Sequence, residues 1–277
     1  VSGRPFHRPS RPRFARDDAP ALPEDPSIRR VLGMQAVREA IIVHGAALKV
    51  VRVESRTQDG EQLAALARFA EGRGAKVERV DRGTLDRIAQ GERHQGVIAD
   101  APPLAVLDLD EAMPALEAIE SPLIVALDEL TDPQNFGAIV RTAVAMGADA
   151  VLWPEDKSAP LSTSMVRASA GAVEHARLIR VASLPRALET LRDEAYDVIG
   201  LEMSGASPIE SSPLDRKLVL VVGSEGKGLR RQTKAACTAL AKLPMPGPIG
   251  SLNASVAAAM AIYEAVRQRR ARDGATE

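Results

Sequence analysis

Two stretches of this sequence are apolar at every position. Leu123 to Leu127 and Leu218 to Val222 show no alternation of polar and apolar residues, so neither suits a sheet with one wet face. Such runs belong in strands covered on both sides, which means a parallel sheet with helices packed above and below. Shorter β-rich runs fall at Ala150 to Trp153, Leu178 to Val181, Val198 to Leu201 and Leu240 to Leu243, and helical patterns at Ser183 to Arg192 and Ala254 to Arg269. After the first apolar run, Asp132 can cap a helix whose first turn holds Pro133. Phe136, Ile139, Val140, Ala143 and Val144 then recur at helical spacing, and Gly147 can end that helix. Strands alternating with helices give an α/β class with a largely parallel sheet.

The part before this pattern divides further. Residues 1–26 carry Arg4, Arg8, Arg11, Arg13 and Arg16 among prolines, followed by acids, with no apolar period. They read as a disordered tail, either simply solvated or a basic arm on RNA phosphates. Residues 30–100 alternate helix (Met34 to Val43, Gln62 to Ala70, Thr84 to Ala89) and strand (Lys49 to Val53, Ala75 to Val80, Gly96 to Ala99), a small α/β domain. Residues 101–121, opening on Pro102 and Pro103, read as a linker with a short helix near Glu111 to Ile119. Residues 122–272 form the larger domain. The length of 277 residues suits two such units.

Composition excludes several classes. Aromatics are 3% of residues, too few for a base-stacking platform, and the net charge of −1 argues against a protein that coats nucleic acid nonspecifically. The single cysteine, Cys237, rules out an internal disulfide and argues against a cysteine-based metal site. No apolar run approaches the roughly 20 residues of a membrane helix, and no apolar signal core opens the chain, so a cytoplasmic protein is expected.

Three segments carry possible chemistry. In Asp132-Pro-Gln-Asn-Phe-Gly-Ala-Ile-Val-Arg141, Asn135 sits near the start of a helix and Arg141 lies off its apolar stripe; the helix follows a strand end, the edge where open α/β sheets bind ligands. In Val222-Gly-Ser-Glu-Gly-Lys-Gly228, a buried strand runs into a glycine-rich loop whose spacing fits neither a P-loop nor a dinucleotide fingerprint. In Leu243-Pro-Met-Pro-Gly-Pro-Ile-Gly-Ser-Leu-Asn-Ala-Ser255, prolines and glycines forbid regular structure between a strand and a long helix. Ser251 and Asn253 there can be ligand groups or ordinary helix caps. Val256, Ala259, Met260 and Tyr263 are expected to form the buried face of the helix that follows.

Together, in this order, the three segments resemble the signature motifs of the SpoU branch of SPOUT RNA 2′-O-ribose methyltransferases. Val31-Leu-Gly-Met-Gln-Ala-Val37 and His94-Gln-Gly-Val97 resemble the substrate-binding domain of the bacterial 23S rRNA guanosine 2′-O-methyltransferases, which is similar to L30-type ribosomal RNA binders. The resemblance implies a deep trefoil knot in the larger domain. It implies S-adenosylmethionine as cofactor, held through the backbone of Gly223, Leu243 and Leu252 with Met245 and Ser251 nearby. It also implies a homodimer and catalysis around Arg141, aided by Asn135, Glu225, Ser251 and Asn253. An arginine does not lose its proton near neutral pH, so Arg141 is read as a clamp on the phosphate that lowers the pKa of the target 2′-hydroxyl. His94 is either a structural loop histidine or an RNA contact. The need for a 2′-hydroxyl makes the substrate RNA, not DNA; 23S rRNA leads, with tRNA or another rRNA site as the alternative. A non-catalytic ribosome-assembly protein is disfavoured because the motif residues are all present. An ordinary Rossmann-type methyltransferase lacks its glycine-rich loop here. Ala254 departs from a common valine of the family, and the proline-rich arm is unusual.

Overall fold

The computed structural model describes residues 28–55, 60–248 and 250–274; the expected basic arm lies outside them. The first sheet holds β1 (Arg29–Leu32), β2 (Val50–Glu54), β3 (Val77–Val80) and β4 (Val97–Ala101), in the order β1-β4-β2-β3. Only β2 and β3 run parallel; β4 is antiparallel to both its neighbours. The helices α1 (Met34–His44), α2 (Gly60–Gly72) and α3 (Arg82–Ala89) connect these strands. Sequence periodicity located all of them except β1, a four-residue strand opening on two arginines.

The second sheet has eight strands. In chain order they are β5 (Val106–Leu107), β6 (Leu123–Asp128), β7 (Ala150–Pro154), β8 (Leu178–Val181), β9 (Asp197–Leu201), β10 (Ser207–Pro208), β11 (Leu218–Gly223) and β12 (Ala239–Lys242). Their spatial order is β10-β12-β9-β11-β6-β7-β8-β5, and every pairing is parallel. The segment expected as a linker adds one two-residue strand to this sheet and one helix beside it. β5 forms its edge, and α4 (Leu109–Glu117) follows, with Asp108 and Glu111 making a reciprocal capping box and Leu109, Ala112 and Leu116 buried. Two-residue strands such as β5 and β10 leave no periodicity to read.

The two apolar runs sit at the centre of the sheet. β6 and β11 pair from Leu218 beside Leu123 to Gly223 beside Asp128. Alternate residues point to opposite layers. Leu123, Val125, Leu127, Leu220 and Val222 pack with α5 (Pro133–Ala145) and α9 (Ala254–Gly274). Ile124, Ala126, Val219 and Val221 face the other cluster, with residues of α4, α7 (Leu184–Asp193) and α8 (Arg231–Ala236). α6 (Thr163–Ala168) packs on α5, whose Phe136 meets Trp153 edge to face at 5.4 Å.

One expected face is wrong. Val256, Met260 and Tyr263 of α9 are exposed, at 47%, 45% and 59%. The helix packs instead through Ala254, Ala258, Ala261, Ile262 and Ala265. Small residues let its axis approach α5 closely, and with apolar residues on both sides of the helix, hydrophobicity alone could not pick the inner one. At its far end Arg269 donates to the carbonyls of Leu214 (3.2 Å), Arg216 (2.6 Å) and Ser121, and burial lowers its pKa from the usual arginine value.

The first cluster runs on without a break into the α1 side of the smaller sheet. α1 lies against the turn at Ala172–His175. Arg29 forms two hydrogen bonds to Glu174 (2.8 and 2.7 Å), His44 lies 3.0 Å from the same carboxylate, and His175 lies 2.9 Å from Glu39. Gly171 has φ +85°, and a Cβ there would stand 2.7 Å from the Ala36 Cα. Gly171→Ala should therefore cost about 2–4 kcal/mol through left-handed strain plus overpacking. Urea unfolding checks this: a lower midpoint at unchanged slope is expected, and an unchanged midpoint would mean that the α1 contact yields freely.

Candidate functional site

The chain runs outward from β6 through β7 to β8, then crosses to lay β9, β11 and β12 on the other side, so the strand order reverses between β6 and β11. At such a switch point two neighbouring loops leave the sheet in opposite directions and open a crevice at the carboxyl ends of the strands. Both loops here carry motif residues.

The loop after β6 enters α5 as expected. The Asp132 carboxylate accepts from the amides of Gln134 (3.1 Å) and Asn135 (3.2 Å), with Pro133 in the first turn, and Gly147, φ +76°, follows the last turn. The loop after β11 is tied down by a pair that sequence reading missed. Asp128, 1% exposed at the end of β6, accepts from both the backbone amide (2.8 Å) and Nε (2.7 Å) of Arg230. A charge closing an apolar run was the available signal for Asp128; nothing singled out Arg230. Between these anchors the loop doubles back, with Gly228 N donating to Ser224 O at 3.0 Å. A Cβ on Gly223 would lie 2.3 Å from the Gly228 carbonyl carbon, so only glycine fits there.

The third segment closes over this loop. Asn253 caps α9, its Oδ1 accepting from the Ser255 amide at 2.9 Å. Its Nδ2 donates to Asn135 Oδ1 at 2.9 Å, and Asn135 Nδ2 donates to Glu225 Oε2 at 3.4 Å. One hydrogen-bond chain thus stitches the three segments together. Asn253 thus acts as a helix cap and also bonds to Asn135.

Beside that chain lies a cavity of about 280 Å³, lined by Gly223 to Gly228, by Leu243, Met245, Ser251 and Leu252, and by Leu201, Glu202 and Met203 from the end of β9. The residues from β9 had drawn no attention in the sequence. Among the described residues, the backbone from Leu243 to Leu252 makes no hydrogen bond. Most of this loop is exposed, and its amides and carbonyls are open to a ligand in the cavity. Carboxylates of Glu202 and Glu225 edge the same space.

Arg141 does not join this group. It is exposed on α5, lines no part of the cavity, and its side chain has no hydrogen bond or ion pair among the described residues. Asn135 and Glu225 bond to each other and not to this arginine. His94 is 5% exposed; its Nδ1 accepts from the Gly96 amide (3.1 Å), its Nε2 lies 2.9 Å from Asp86, and it lines a separate cavity in the smaller domain. Both ring nitrogens thus help to hold the loop. Cys237 is likewise inert: burial, helped by the charge of Asp128, pushes its thiol up to about 12. Among the described residues no group of three or more His, Cys, Asp or Glu is placed to hold a metal ion, and no helix is long and apolar enough to cross a membrane.

Comparison with known proteins matches this geometry to sequence. Residues 30–107 match the family described as RNA 2′-O ribose methyltransferase substrate binding, and residues 122–263 the SpoU rRNA Methylase family. The chain is 37% identical over 239 residues to the 23S rRNA (guanosine-2′-O-)-methyltransferase RlmB of Photobacterium profundum, spanning 86% of this chain and 97% of that one. It is 38% identical to the RlmB of Pseudomonas putida, over 87% of this chain and 97% of that one. Among solved structures, the SpoU methyltransferase AviRb from Streptomyces viridochromogenes, in complex with the cofactor AdoMet, superposes with a TM-score of 0.72 at 25% identity, covering 88% and 91% of the two chains. An AdoMet-bound rRNA methyltransferase from Sinorhizobium meliloti gives 0.67 at 26% identity, covering 88% of each. The chain belongs to the SpoU rRNA methylase family.

Proposed function

We propose that this protein transfers a methyl group from S-adenosylmethionine to the 2′-hydroxyl of a guanosine in 23S rRNA. The observation that carries this reading is the hydrogen-bond chain Asn253–Asn135–Glu225, which draws all three motif segments to one cavity. Relatives of that activity, aligned over nearly their whole length, supply the substrate. A cytoplasmic location, where ribosomal RNA is assembled, goes with it.

The cavity suits the cofactor in kind. Backbone amides from Leu243 to Leu252 can read an adenine edge, Leu201, Val222 and Leu243 give apolar walls, and the Glu225 carboxylate favours a cationic ligand, Glu202 being paired with Lys234 at 2.7 Å. Gly223, Leu243 and Leu252 are the proposed backbone contacts, with Met245 and Ser251 beside them. When bound, the cofactor supplies an electrophilic methyl on a sulfonium. The protein's part is then to bring the ribose hydroxyl into line and ease the loss of its proton. Asn135, Glu225, Ser251 and Asn253 fix the ribose side of the cavity. Arg141 holds the adjacent phosphate, and its fixed positive charge stabilises the developing alkoxide.

A second copy completes the site in this reading. α5 and α9 pack side by side, and their outward faces carry Arg141 and Met146 on one and Val256, Met260 and Tyr263 on the other. An apolar strip of this kind, next to an arginine with no partner and a cavity it does not reach, is what a dimer interface would cover. The larger unit, taken from Val106 onward, is proposed to carry the trefoil knot: the segment after β12 folds back over the Gly223 loop before α9 returns against α5 and β11. Residues 30–100 are proposed as the L30-type substrate-binding unit.

Labelled methyl transfer to 23S rRNA, 16S rRNA and tRNA lacking their own modifications tests the assignment. One 2′-O-methylguanosine in 23S rRNA is expected, and Arg141→Ala should lower turnover by about two orders of magnitude or more while cofactor affinity holds. Label in tRNA alone would overturn the substrate, and near-normal turnover of the mutant would overturn the role of Arg141. Sedimentation should give the mass of a dimer, and Met260→Glu with Tyr263→Glu should give a folded monomer without transfer. A wild-type monomer that still turns over would rule out the shared site.

A further inference from the structure

A second cavity, of about 450 Å³, opens in the smaller domain, between the end of β2, the start of α2 and the loop from Glu92 to Gly96. Its floor holds Glu54. That side chain is only 8% exposed, yet among the described residues it makes no hydrogen bond and no ion pair. Its backbone is fixed, donating to the Gly96 carbonyl at 2.8 Å. Its carboxylate oxygens are not sealed inside the protein but open on the cavity, so a ligand seated there that offers N–H donors would meet them directly.

The surroundings narrow the ligand. Gly96, φ +77°, keeps the space open: a Cβ there would stand 2.8 Å from Leu63 Cδ1 and 3.3 Å from Glu54 Oε2. Leu63 and Met34 give apolar surface to the cavity, which suits a flat ring. The other charges at the rim are mostly used. Asp86 is tied to His94 (2.9 Å) with Arg82 beside it at 3.9 Å, and Glu92 pairs with Arg167 of the larger domain. That leaves the buried carboxylate and, among the described residues, one unpaired cation, the exposed Arg93.

We propose that this cavity is a receptor for an unpaired guanine of the RNA, with Glu54 accepting from its N1–H and 2-amino N–H while Arg93 meets a neighbouring phosphate. Guanine alone among the four bases presents two adjacent N–H donors on one edge, matching the two oxygens of a carboxylate. Adenine, cytosine and uracil pair their single donor there with an acceptor, which would face Glu54 with repulsion. A flipped-out or loop base is the form in which RNA is read by such pockets. The Glu92–Arg167 pair ties the rim of this receptor to the larger domain, so a base held here fixes the position of the strand relative to the transfer site. The polymer being RNA rests on the proposed function; the preference for guanine rests on Glu54.

The test uses the full chain and short oligouridines carrying one central guanosine, inosine or adenosine, with binding read by fluorescence anisotropy at low salt. Guanosine should bind several-fold tighter than adenosine, and inosine, which lacks the 2-amino group, should fall between. Glu54→Gln should abolish the preference and leave S-adenosylmethionine affinity unchanged, because the cofactor cavity lies in the other domain. Its melting temperature should stay close to that of the wild type, since the side chain keeps its size and no protein partner of Glu54 is lost. Equal affinity for all three oligonucleotides, or a preference that survives Glu54→Gln, would overturn the proposal. So would an arginine-rich peptide that depends on Glu54 while the three bases bind alike. Loss of methyl transfer in the wild type would strike the proposed function and not this receptor.

Discussion

The pairing of β6 with β11 is the constraint on which the rest of the structure depends. Its register sets Gly223 beside Asp128 at the carboxyl edge of the sheet. A one-residue slip would turn every side chain of those strands to the opposite layer. It would also part Asp128 from Arg230, whose two hydrogen bonds hold down the far end of the glycine loop. With that loop fixed, Glu225 stands where Asn135 reaches it, and Asn253 completes the chain from above. The local cap of α9 is thereby used twice, once to start a helix and once to lock a site.

The same packing logic accounts for what the larger sheet leaves outside. α9 turns alanines inward to approach α5, and this puts its bulky residues, Val256, Met260 and Tyr263, on the surface. In the proposed dimer a second copy would cover these residues together with the exposed Arg141 and the open cavity.

Much of this was legible in the residues. The unbroken apolar runs identified the central strands because a strand buried on both faces has no polar positions to alternate. Asp132, Pro133 and Gly147 marked the limits of α5 because capping chemistry is local. The three motif segments named Asn135, Glu225 and Asn253, which the fold then brought together from 118 positions apart. What could not be read depends on contacts distant in sequence. β5 and β10 are too short to show a period and exist only by pairing with a sheet. The inner face of α9 was decided by how near α5 could come, not by which side was more hydrophobic. Arg230 and Glu202 carry no pattern of their own, and Glu54 sits in an ordinary-looking β-run, so its lack of a partner emerges only in three dimensions.

The central claim is that the glycine loop and the proline-rich loop form one cofactor site beside the Asn253–Asn135–Glu225 chain. The most direct measurement is a crystal structure of the chain with S-adenosylhomocysteine. The account predicts the nucleoside in the cavity between Gly223–Gly228 and Leu243–Leu252, with its adenine on the backbone of the second loop and the hydrogen-bond chain intact. A ligand bound elsewhere, or a chain of hydrogen bonds broken when the cavity fills, would contradict it.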